Sequence, residues 1–198
     1  MTKSRLEAFT DGVIAILITI MVLELHRPEG PHLSDLQPLV PTLLAYLLSF
    51  VFLAIYWNNH HHLMQVVERI DGAVLWANMH LLFWLSLIPW ITAWMGQHPR
   101  QRVPVVVYGI VLFACGVAYL VLTRALLRIH VPGSRLAVAL GADWKGKLSA
   151  VAYLVALPLA ALTTWAAISV YVAVAIVWIV PDRRISRVLA EVPAATAD

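Results

Sequence analysis

The chain has 198 residues, 61% of them hydrophobic and 13% charged, with 14 Lys and Arg against 11 Asp and Glu and a mean hydropathy of +0.81. Soluble domains run roughly 45–50% apolar and about 25% charged, so a water-solvated fold is excluded and the predicted class is an all-α, multi-pass membrane protein whose first partner is the lipid bilayer. The slight basic excess is spread over short joints instead of one stripe, which excludes nucleic acid as a partner.

About 20 apolar residues cross a hydrocarbon core, and six spans are predicted on that measure, near residues 7–25, 37–58, 73–95, 104–126, 147–164 and 166–181, as one membrane domain over 1–198. The first run follows Lys3 and Arg5 and so resembles a secretory leader. Glu7 and Asp11 interrupt its approach, however, no small-residue cleavage site precedes His26, and five further spans follow, so it is read as a retained helix. Within it Ile16, Ile20 and Leu23 are spaced i, i+4, i+7 on one stripe with Thr19 beside them. Several copies of such a helix around one axis would form stacked apolar rings with a hydroxyl layer, and rings of that kind gate ions by dewetting. Spacing alone leaves this open, because a helix that is apolar all round offers a stripe in any direction.

Asp11 lies at the membrane edge, where an ionisable group needs a partner. The candidates are Trp57-Asn58-Asn59-His60-His61-His62 at the end of the second span, and Asn78 or His80 in the third. A structural clamp is favoured over a proton-transfer role. Glu24, one turn from the other end, either draws cations to an outer mouth or is a solvated helix end. The triple histidine predicts no metal site, because consecutive helical residues point about 100° apart and the His-Glu-x-x-His spacing is missing.

Arg27-Pro28-Glu29-Gly30-Pro31, His98-Pro99-Arg100 with Pro104, and Pro132-Gly133 at the head of the 129–146 joint read as loops. Pro89 and Pro158 predict kinks inside spans, and Trp57, Trp90, Trp94 and Trp178 are read as an aromatic belt. Residues 148–181 form one nearly uncharged run, which is divided near Leu162 to Trp165. The single cysteine, Cys115, is read as a packing residue. With the N-terminus inside, eleven Lys and Arg fall on the inner side and only Arg27, Arg100 and Arg102 outside, which places both termini in the cytoplasm and agrees with an even number of spans. A Thr-Val-Gly-Tyr-Gly filter, a P-loop, a Gly-x-Ser-x-Gly elbow and an arginine-repeat voltage sensor are all missing from the sequence, so neither an enzyme nor a conventional channel or pump is expected.

Arg5-x-x-x-Phe9-Thr10-Asp11 resembles the Arg-x-x-x-Phe-Ser-Asp signature of the lysosomal-type potassium channels, the transmembrane protein 175 family. The likeness continues in Trp57-Asn58-Asn59-His60-His61, Leu75-Trp76-Ala77-Asn78 and Leu87-Ile88-Pro89-Trp90-Ile91-Thr92; it covers the first half of the chain, and the second half only by hydropathy. Thr10 replaces the signature serine and keeps its hydroxyl. The resemblance implies a bacterial member in the inner membrane, a homotetramer with helix 1 of each subunit lining the pore, and a constriction at Ile16, Ile20 and Leu23. It also implies that Thr19, with Ile16, sets a preference for K+ over other monovalent cations, with no cofactor. Arg5, Phe9, Thr10, Asp11, Trp57, Asn58, His60, His61 and Asn78 become the signature and interhelix clamp. Isoleucine rings offer no oxygen to replace a hydration shell, so the expected preference is modest. The rival is a proton-coupled secondary transporter that uses Asp11 and the helix 2 histidines as a relay, although the repeated halves and midplane site common to transporters are missing.

Overall fold

In the computed structural model, which describes residues 2–131, 133–140 and 144–179, every regular element is helical. They are α1 (Lys3–Leu23), a 3-10 helix (Leu33–Leu39), α2 (Val40–Val66), α3 (Gly72–Ser86), α4 (Ile88–Gln97), α5 (Arg102–Ile129), α6 (Arg135–Leu140), α7 (Trp144–Leu162) and α8 (Thr164–Ile179). Among the described residues, five stretches are long and apolar enough to cross a membrane: Lys3–Leu23, Leu33–Val66, Gly72–Gln97, Arg102–Ile129 and Lys145–Leu162; Thr164–Ile179 is a shorter apolar helix. The last two residues of the sixth predicted span, and Arg183, Arg184 and Arg187 of the inner-side count, lie outside the described residues.

Local chemistry explains most boundaries. Thr2 caps α1 by accepting from the Arg5 backbone N–H, and Asp71 caps α3 by accepting from Val74 N–H at 2.9 Å, each satisfying a donor that a helix start leaves unpaired. The third predicted span is broken into α3 and α4 at Leu87, because Pro89 occupies the first turn of α4 and cannot donate to the preceding turn. Pro158, by contrast, is carried within a continuous α7. The long joint before the fifth span is not all loop: Gly133 at φ +85, a left-handed conformation glycine adopts without a Cβ penalty, turns the chain into the short α6.

The second span runs past its predicted end at Asn58 to Val66. Polar residues 58–62 do not stop it because the packed face continues: His60, Leu63, Met64 and Val66 are all buried. α1 packs against α2, α3 and α4, while α5 crosses α3, α4, α7 and α8. Cys115 is buried in α5, within the core. One end of the bundle is tied by polar contacts from the α2–α3 loop: Lys3 Nζ donates to the Val67 carbonyl at 2.9 Å, Arg69 Nε to the Ile129 carbonyl, and Glu68 N–H to His130 Nε2 at 3.2 Å. His130 Nε2 accepts there, so its proton sits on Nδ1, which faces the Leu126 carbonyl at 2.7 Å.

Candidate functional site

α1 has two chemically different faces. Leu6, Thr10, Ile14, Leu17 and Met21 recur every three or four residues and are buried; this is the face that holds the helix to the rest of the chain. On the opposite face Ile16, Ile20 and Leu23 are 56%, 40% and 79% exposed, and Thr19 is exposed beside them. At about 100° per residue the three apolar side chains fall within an arc of roughly 60°, and at about 1.5 Å per residue they extend along roughly 10 Å of axis. The Thr19 hydroxyl donates to the Ile16 carbonyl at 2.9 Å. Its proton is thereby turned into the helix, which leaves oxygen lone pairs directed away from it. Glu24 caps the far end of α1 and is exposed.

The same open face extends toward the N-terminus through Gly12, Phe9 and Arg5, all exposed. Arg5 and Phe9 therefore lie apart from the clamp in which the sequence grouped them, and the Arg5 guanidinium makes no hydrogen bond or ion pair with a described residue. They stand about three and two helical turns before Ile16, on the azimuth of the apolar stripe.

The clamp itself is built from α1, α2 and α3. Asn78 in α3 is wholly buried and joins the other two helices: its Nδ2 donates to Thr10 Oγ1 at 2.8 Å, and its Oδ1 lies 3.0 Å from His60 Nε2. With the amide oxygen facing the ring, His60 Nε2 must carry the proton, and Nδ1 of this buried histidine has no partner among the described residues. Nearer the surface Trp57 Nε1 donates to Asp11 Oδ1 at 3.0 Å, and the Trp57 ring stacks on His61 with centroids 5.8 Å apart. His61 Nδ1 faces Glu7 Oε1 at 3.4 Å, while Gln65 Nε2 lies 3.0 Å from His61 Nε2. The partner of Asp11 is thus Trp57. His80 is engaged within α3, accepting from Trp84 Nε1 at 2.9 Å, and the Asn58 side chain has no hydrogen-bond partner among the described residues. The three consecutive histidines point in separate directions, and no group of three or more metal-ligating side chains is assembled among the described residues.

A second buried polar cluster escaped the sequence reading. Ser49 of α2 lies 2.9 Å from the Tyr108 hydroxyl of α5, and Thr92 of α4 lies 2.6 Å from both the Ser49 hydroxyl and the Ile88 carbonyl. Each hydroxyl owns one proton, so the arrangement that satisfies all of them passes it from Tyr108 to Ser49 to Thr92 to the carbonyl. Adjacent to it Tyr171 of α8 donates to the Val105 carbonyl at 3.1 Å. The available signal was simple: hydroxyl side chains inside apolar spans need partners across helices.

Three comparisons bear on this geometry. The family described as the endosomal/lysosomal potassium channel TMEM175 matches residues 5–89, which contain α1, the clamp and the α3–α4 break. A protein of Chryseobacterium sp. named as a potassium channel is 47% identical over 96% of this chain and 100% of its own length. A Streptomyces collinus protein, also named as a potassium channel, is 35% identical over 59% of this chain and 61% of its own. Among solved structures, the crystal structure of a lysosomal potassium-selective channel TMEM175 homolog from Chamaesiphon minutus superposes with a TM-score of 0.76 at 29% identity, covering 89% of this chain and 96% of that one.

Proposed function

The chain belongs to the TMEM175 ion channel family, and on that premise we propose that it forms a potassium-preferring cation channel in the bacterial inner membrane, as a homotetramer in which α1 of each subunit lines the pore. α8 serves as the sixth span, and both termini face the cytoplasm. The observation that carries this reading is the division of α1: one face is fully used within the subunit, while Ile16, Thr19, Ile20 and Leu23 face outward. Four such faces around an axis give three apolar rings at which a hydrated cation meets a dewetting barrier. The selective chemistry belongs to the Thr19 layer, whose outward lone pairs can replace water around a cation while the isoleucine rings cannot. Ile16 completes that layer on one side, and Glu24 gathers cations at the outer mouth.

The relay alternative draws on Asp11, His60 and His61. These side chains are already bound to Trp57, Asn78 and Gln65, which supports a role in holding α1 in place. Planar bilayers containing the purified protein test the proposal. Under opposed KCl and NaCl the expected result is unitary currents with a reversal potential displaced toward that of K+. Flux without unitary events, saturating at transporter turnover, refutes it; native mass spectrometry giving a stable monomer or dimer in mild detergent refutes the tetramer.

A further inference from the structure

A cavity of about 350 Å³ opens between α2, α5, α7 and α8, on the side of α2 away from the clamp. It lies at the end of the bundle where α1 begins: α2 and α5 both end there, joined by the Arg69 contact with Ile129. The walls change character along its length. Phe52, Phe113 and Val117 make the inner part apolar, whereas Arg124 and Lys147 flank the end nearest the helix termini. Both cations are exposed, and neither makes an ion pair or hydrogen bond with a described residue. Other polar groups of the wall are already used: Ser149 accepts from Trp178 Nε1 at 2.7 Å, and the Tyr119 hydroxyl donates to the Asn59 carbonyl at 3.2 Å. Gly116 keeps the floor open, since a Cβ there would meet only the Tyr56 hydroxyl, at 3.9 Å.

An apolar slot of ligand size that ends in two cations with no ion pair among the described residues matches one abundant amphiphile. We propose that this crevice binds an anionic phospholipid, an acyl chain lying against Phe52, Phe113 and Val117 and the headgroup phosphate between Arg124 and Lys147. Basic pockets between membrane helices hold anionic headgroups in this manner. The inference uses only the subunit's own helices and is independent of the pore assignment on α1.

Native mass spectrometry of the purified full chain tests it, with dioleoyl-phosphatidylglycerol and dioleoyl-phosphatidylcholine titrated separately. Saturable adducts are expected with the anionic lipid and much weaker ones with the zwitterionic lipid. The double variant Arg124→Gln, Lys147→Gln changes only exposed side chains and should weaken phosphatidylglycerol binding roughly thirtyfold, from the per-charge value for basic residues at an anionic surface. Gly116→Leu, which fills the floor, should abolish the saturable adducts of both lipids while the oligomer persists. Equal binding of the two lipids overturns the proposal, as does unchanged phosphatidylglycerol affinity in the charge variant. A shift in subunit stoichiometry without change in lipid adducts overturns it too, and identifies the crevice as a contact between copies.

Discussion

Replacing Asn78 with leucine tests the clamp with little change of volume. Asn78→Leu removes the bond to Thr10 at 2.8 Å and the one to His60 at 3.0 Å, and all three side chains are buried without access to water. His60 Nδ1 already has no partner among the described residues, so the variant leaves both nitrogens of that ring unsatisfied. A buried polar group stripped of its partner costs about 1–3 kcal/mol in soluble proteins, whereas interhelical hydrogen bonds in membranes average about 0.6 and reach about 1.7 kcal/mol. The membrane scale is the relevant one, because the unfolded reference also sits in detergent or lipid; two bonds then give about 1–3 kcal/mol of lost stability. Thr10→Val removes one of the two, and a double-mutant cycle of Thr10→Val with Asn78→Leu should return a coupling of about 0.6–1.7 kcal/mol. Thr10→Ser keeps the hydroxyl and its bond from Asn78 and loses one methyl, so it should cost less than Thr10→Val. Reversible unfolding in mixed micelles, followed by the fluorescence of the eight tryptophans, reads all of these. An Asn78→Leu protein as stable as the parent, or a coupling of zero between two destabilising single changes, would refute the clamp.

Ile16→Asn should raise cation current and weaken K+ over Na+ preference in bilayer recordings, whereas Leu17→Asn, at a position only 7% exposed, should lower the yield of folded protein without opening the pore; equal currents from the two would sink the stripe assignment. Thr19→Val keeps the side-chain shape and deletes the oxygen, so the reversal-potential shift under KCl and NaCl should shrink while the unitary barrier of the apolar rings remains. Asp11→Asn retains an oxygen for Trp57 Nε1 and should assemble better than Asp11→Ala on size exclusion, an order that a relay role for this carboxylate does not predict. Gly109→Ala drives a Cβ into the Tyr171 ring and hydroxyl and should lose about 1–3 kcal/mol by overpacking. The same change at Gly116 meets only the Tyr56 hydroxyl, in ordinary van der Waals contact at 3.9 Å, and should be neutral or slightly stabilising in a thermal melt, from helix propensity.

Ile16, Ile20 and Leu23 share an exposed face of α1, as their i, i+4, i+7 spacing predicts; spacing alone left open which way that face turns. The partner of Asp11 fell within the set read from the sequence because few polar side chains in the first three spans were close enough in depth to meet it, whereas the bond from Asn78 to Thr10 was not anticipated. Hydropathy misplaced the end of α2, since it reads His60, His61 and His62 as a boundary and cannot see that one of them packs inward while the others lie along a continuing helix. Arg5 and Phe9 were assigned by motif to the clamp, yet a motif records co-occurrence and not azimuth; at about 100° per residue they share the face of Ile16 and not that of Thr10. The hydroxyl relay of Ser49, Thr92 and Tyr108 depends on three helices far apart in sequence and becomes visible only when they are packed.

α7 and α8 run antiparallel, with Lys145 Nζ donating to the Val177 carbonyl and Trp178 to Ser149, and a single residue, Thr163, separates them. That joint bears on how the chain is made. No hydrophilic loop exists between the two helices for an insertion machinery to carry across by itself, and no charged side chain lies between Lys147 and Asp182 to hold either helix back. If both helices cross the bilayer, as proposed above, so short a joint requires them to enter together as one hairpin, with Leu162 and Trp165, both exposed, at its tip.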